Sequence, residues 1–125
     1  MKQLFISALF LLGGLLNGNA QQPSLKFNKD GKFKIVQFTD VHYIYENPKS
    51  AISIERINEV LDAEKPDLVL FTGDVIYGKP AEEGMRKVLK LASDRKIPFG
   101  MTFGNHDNEQ GLTRTELFDI IKTIP

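Results

Sequence analysis

"DLVLFTGD", residues 67–74, decides the fold. Leu68 to Phe71 is an unbroken apolar run, followed at once by Thr72, Gly73 and Asp74. Its length suits a strand, and its near-continuous apolarity predicts a strand buried on both faces, as in a parallel sheet. Upstream, "NPKSAISIERINEVLDAEKP" (47–66) predicts a helix, with Ile54, Ile57 and Leu61 on one face. Pro48 suits its first turn and Pro66 its stop. Downstream, "PAEEGMRKVLKLASDRK" (80–96) predicts a second helix whose stripe is Met85, Val88, Leu89 and Ala92. Pro80 and two glutamates favour its start.

The outer elements repeat the alternation. "KFKIVQF" (32–38) and "IPFGMTF" (97–103) predict two further strands, rich in aromatic and branched residues. Thr113 with Glu116 fits a capping box opening a last helix through about Lys122. The order is βαβαβ followed by a helix. That order predicts an α/β layered fold with parallel neighbours and right-handed crossovers.

Each predicted strand is followed by a polar cluster. Asp40 lies two residues after Phe38, Asp74 three after Phe71, and Asn105 two after Phe103. In a parallel sheet these ends share one edge, and open α/β sheets bind ligands there. Both histidines of the chain, His42 and His106, belong to these clusters. Carboxylate oxygen with neutral imidazole suits Mn, Fe or Zn. A bridging carboxylate between two metals about 3.5–4 Å apart suits phosphoryl chemistry. A histidine held by a carboxylate beside such a site can protonate a leaving oxygen. Taken singly, each cluster also reads as an ordinary turn or helix cap.

The motifs "DVH" (40–42), "GD" (73–74) and "GNHD" (104–107) are together similar to the first three metal motifs of the calcineurin-like metallophosphoesterases. Their context resembles the purple-acid-phosphatase-like branch, over residues 32 to about 110. The motifs stand at intervals of 34 residues (Asp40 to Asp74) and 31 (Asp74 to Asn105). The resemblance implies two divalent or di/trivalent metal ions. It gives Asp40 and His42 to the first metal, Asp74 to both, and Asn105 to the second. It makes His106 the acid beside the phosphoryl group and Asp107 the residue that orients His106.

Two features depart from that pattern. Purple acid phosphatases bind ferric iron through a tyrosine at the position of Tyr77 and usually lack the first-motif histidine, whereas this sequence has both Tyr77 and His42. His42 is the favoured ligand, with Tyr77 packing beside it. The family also completes its site with histidines from later motifs, and this chain has none after His106. The expectation is a fragment of a longer enzyme, the N-terminal part of its domain over 32–125; a degenerate copy is the alternative.

Composition bounds the rest. Sixteen basic residues balance sixteen acidic ones without any basic tract, so no nucleic-acid footprint is present. "MKQLFISALFLLGGLLNGNA" (1–20) has the layout of a secretory signal cleaved after Ala20, with an uncleaved anchor as the alternative. Its apolar part is short and broken by Gly13 and Gly14, so no stable membrane insertion is expected after cleavage. Residues 21–31 then form a polar leader, with a turn at Asp30-Gly31. The expected location is periplasmic or extracellular. The absence of cysteine excludes thiolate chemistry and zinc-thiolate sites. The expected substrate is a phosphate ester, most simply a monoester, on a small molecule or a phosphoprotein. The rival reading is a non-catalytic module that binds a ligand or partner on a degenerate scaffold.

Overall fold

The run at 67–74 forms β2 (Leu68–Thr72), the middle strand of a three-stranded sheet. The computed structural model describes residues 24–125, so the expected signal segment lies outside the described residues. On either side of β2 run β1 (Ile35–Phe38) and β3 (Phe99–Thr102), both parallel to it. The register aligns Phe38, Phe71 and Met101 across the sheet. The segments that leave all three strands therefore start from one edge.

Burial along β2 corrects one expectation. Val69 and Phe71 are buried, whereas Leu68, Leu70 and Thr72 are half-buried. The strand thus has one fully covered face. Val69 and Phe71 belong to the same apolar cluster as Ile57 and Leu61 of α1 (Ala51–Glu64), Met85, Val88 and Leu89 of α2 (Ala81–Ser93), and Leu117 of α3 (Arg114–Ile121). Phe71 stacks on Phe38 and meets Phe99 edge-on. Each fully buried side chain of this size contributes roughly 1.5–3 kcal/mol.

The predicted apolar stripes match this core. Met85, Val88, Leu89 and Ala92 are fully buried, as are Ile57 and Leu61, with Ile54 packed at the margin. The first helix begins later than its sequence pattern, because a 3-10 turn at Pro48–Ser50 precedes it, and Asn47 accepts the Lys49 N–H there. Lys65, left-handed at φ 46°, ends it just before Pro66. The capping box at Thr113 and Glu116 is formed in both directions. At the entrance to β1, Asn28 closes the 28–32 turn by accepting from the Asp30 and Lys32 amides. No helix among the described residues is long and apolar enough to cross a membrane.

Candidate metal centre

Beyond the strand ends, the backbones after β1 and β2 stay in register. Asp40 N–H donates to Gly73 O, His42 N–H to Asp74 O, and Tyr43 N–H to Val75 O. This ladder carries Asp40, His42 and Asp74 to one place. A ligand atom from each lies within 4.8 Å of the others. His42 Nε2 is 3.7 Å from Asp40 Oδ1 and 3.7 Å from Asp74 Oδ2. Those separations are too long for hydrogen bonds. They are close to the roughly 3–3.6 Å between donors that share one ion at about 2.1 Å. Two carboxylates and an imidazole facing one gap form a donor set suited to a borderline or hard divalent cation.

The local backbone is unusual at these residues. Asp40, His42 and Asp74 have φ of 53°, 48° and 51°. They are three of the six non-glycine residues with positive φ among the described residues. Left-handed residues cost on the order of 1–3 kcal/mol each and persist where their surroundings fix them.

Two glycines permit the close approach of the β2 and β3 segments. Gly73 has φ 96°, and a Cβ there would press on the Gly104 backbone at 3.0 Å. A Cβ on Gly104 would collide with the Asp74 carboxylate and amide. The glycines of "GD" and "GN" are thus required by contact between these two segments.

Asp107 is placed differently from its expected role. It is fully buried, and its two oxygens accept four backbone N–H groups. Oδ2 takes those of Asp74 (3.0 Å) and Gly104 (2.8 Å). Oδ1 takes those of Val75 (2.8 Å) and Ile76 (3.1 Å). An ionised carboxylate offers about four lone-pair sites, so none remains for an imidazole. Asp107 therefore clamps the Asp74 segment to the Gly104 segment and does not orient His106 by a hydrogen bond.

Glu109 holds His106 instead, with Oε2 2.6 Å from Nδ1. The pair sits three residues apart across a 3-10 turn, Asp107–Glu109. This hydrogen bond raises the His106 pKa above the usual imidazole value. Burial opposes the rise, and the charges of Glu109, Asp74 and Asp107 reinforce it. His106 N–H also donates to Asp74 Oδ1 at 2.8 Å. Asn105 stands exposed between Gly104 and His106, both of which meet Asp74.

Sequence reasoning missed three contributors. Glu109 carried a helical-spacing signal toward His106. Thr39 Oγ1 donates to Asp40 Oδ2 at 2.6 Å. Arg114 reaches back from α3, donating to Gly104 O at 3.0 Å and Asn108 Oδ1 at 3.2 Å. Nothing in the spacing of Arg114 pointed to that contact.

The profile of the calcineurin-like phosphoesterases matches residues 33–123. Phosphatase DCR2 of Saccharomyces cerevisiae is 40% identical over 118 residues, spanning 81% of this chain and 20% of the yeast protein. "Probable inactive purple acid phosphatase 29" of Arabidopsis thaliana is 30% identical over 139 residues, spanning 98% of this chain and 36% of the plant protein. The uncharacterized metallophosphoesterase YkuE of Bacillus subtilis is 39% identical over 82 residues, spanning 61% of this chain and 27% of its own length. The chain thus spans about a fifth to a third of the length of these relatives. With the family profile matching residues 33–123, most of the chain, this chain belongs to the calcineurin-like phosphoesterase family.

Proposed function

We propose that this chain carries the first part of a binuclear metal centre that hydrolyses phosphate esters, monoesters in the first instance. The convergence of Asp40, His42 and Asp74 within 4.8 Å carries this reading. Asp40 and His42 would hold one cation, Asp74 would be shared, and Asn105 would serve the second. Mn, Fe and Zn all suit these donors. When bound, the cations supply Lewis acidity toward phosphoryl oxygens and lower the pKa of water.

The chain's own residues supply the rest. Glu109 occupies His106 Nδ1 and favours the protonated ring. Nε2 of His106 is then the atom that gives a proton to the leaving oxygen. Asp107 keeps the Asp74 segment in its left-handed turn, so the shared carboxylate does not have to be ordered during the reaction.

Ligand count and relative length both support reading the chain as part of a longer enzyme. Four side-chain donors are few for two cations, and the relatives extend well beyond the matched part. A small-molecule or phosphoprotein ester is the substrate in this reading, with no role for nucleic acid. The leader-like residues 1–20 support a periplasmic or extracellular location.

A second reading has one specific support: some relatives bear names that include "inactive". On that reading the scaffold binds a metal or phosphate ligand without turnover. Metal uptake and aryl-phosphate hydrolysis with added manganese, measured on the parent and on Asp74→Asn, separate the two. Loss of both in the variant supports the enzyme. Turnover that survives Asp74→Asn removes Asp74 from the site. Metal uptake without turnover in a longer parent protein favours the binding module.

A further inference from the structure

Tyr77 touches both imidazoles of the site. Its ring centroid lies 5.1 Å from that of His42 and 5.0 Å from that of His106. The two imidazoles are 5.5 Å apart, so the three rings close a triangle. The contact with His106 is perpendicular, at 90°, the edge-to-face arrangement that aromatic rings favour.

The stem of this ring is fixed from both sides. Ile76 N–H is held by Asp107, and Tyr77 N–H donates to Tyr43 O at 2.9 Å. At Gly78 the chain passes so close to Ile44 that a Cβ would meet its side chain at 2.7 Å. Yet Tyr77 itself is 47% exposed. An ordinary half-exposed tyrosine covers apolar core with one face; this one lies against two site histidines.

We infer that Tyr77 is a positioning residue for His106 and His42, and that its open surface is the wall that receives a flat, aromatic leaving group. The ring, and not the hydroxyl, carries both roles. His42 already presents Nε2 to the gap between Asp40 and Asp74, so a phenolate ligand would have to share a position that is filled. The wall rests on the phosphoesterase reading above; the positioning does not.

The chain has two histidines, so its imidazole protons give two sets of magnetic-resonance signals that are readily assigned. In the metal-free chain, Tyr77→Phe should leave both sets near the parent positions. Tyr77→Leu, at a half-exposed site, should shift both sets by removing the ring current. Unmoved signals in Tyr77→Leu would overturn the positioning role. A shift of the same size in Tyr77→Phe would overturn the claim that the hydroxyl is dispensable.

The wall is read from kinetics in a form that hydrolyses phosphate esters. Tyr77→Leu should lose roughly 2- to 10-fold in kcat/KM on aryl phosphates, the scale of one aromatic contact. Alkyl phosphates should lose less, and Tyr77→Phe should restore the aryl rate. Equal losses on the two classes would overturn the wall. Absence of hydrolysis in a longer protein that supplies the remaining metal ligands would overturn the phosphoesterase reading instead, and the imidazole signals would still decide whether Tyr77 positions the histidines.

Discussion

Asp40 and Asp74 each follow a strand, and each adopts a left-handed backbone, with φ of 53° and 51°. Each turns a carboxylate oxygen to 3.7 Å from His42 Nε2. Their supports differ. The Asp40 side chain is 63% exposed and is held by the neighbouring Thr39 hydroxyl. The Asp74 side chain is 11% exposed, accepts the His106 N–H, and stands on a segment whose amides are gripped by Asp107. One side of the site is fixed by the fold and the other is adjustable. On the binuclear reading proposed above, a shared carboxylate would gain most from being fixed, because its position would set the separation of two cations. A carboxylate serving one cation would tolerate adjustment.

If the Asp107 clamp makes that difference, removing it should have the largest effect on the molecule. Asp107→Ala leaves four amides without their acceptor, at about 1–3 kcal/mol for each that water cannot reach. We expect a loss on the order of 4–6 kcal/mol, which rivals the whole stability of many domains. Asp107→Asn should fare little better, because one of the two positions then presents an NH2 to a pair of N–H donors. Urea unfolding checks both; an Asn variant as stable as the parent would dissolve the clamp argument.

Gly104→Ala attacks the same fixed side sterically. The new Cβ collides with Asp74, so either the carboxylate or the backbone must move. A loss of about 2–3 kcal/mol is expected, in the range of overpacked sites. The matching change on the adjustable side is Asp40→Asn. It should alter metal-free stability by no more than about 0.5 kcal/mol, as exposed substitutions do, while weakening metal uptake. Calorimetric titration with manganese, alongside thermal unfolding, reads both. Should Asp40→Asn destabilise the fold as much as Gly104→Ala, the two sides would not differ in the way described.

The same contrast explains what could be read from the sequence. The strands and helices were legible because their apolar periodicity is set by one core: Met85, Val88, Leu89 and Ala92 recur at helical spacing because all four are buried in the same apolar cluster as Val69 and Phe71 of β2. The convergence of Asp40 and Asp74 followed from parallel strand ends. The division of labour between Asp107 and Glu109 did not, since both are acids close to His106 in the chain. Which one faces the imidazole depends on where the turn at Asp107–Glu109 points each side chain. The half-buried face of β2 was also hidden, because Leu68 and Leu70 are as apolar as Val69 and Phe71.

The effect expected to touch the site least lies away from the fixed edge, in the helix that lends it Arg114. Thr113 caps α3, and its N–H and hydroxyl both reach Glu116 Oε2 at 2.8 Å. Thr113→Ala should cost about 1 kcal/mol, as loss of an N-cap usually does. It should loosen Gly104 only through Arg114, so metal uptake should hardly change. Its pH dependence has a definite sign. The Thr113 amide and hydroxyl lower the Glu116 pKa in the folded chain. The hydroxyl's part of that contribution, the part Thr113→Ala removes while keeping the amide, is fully present above the unfolded carboxylate pKa and is lost as pH falls through the folded one. Parent and Thr113→Ala should therefore unfold further apart in temperature at neutral pH than in acid. A gap that widened on acidification would show that Glu116 is not the group through which the cap acts.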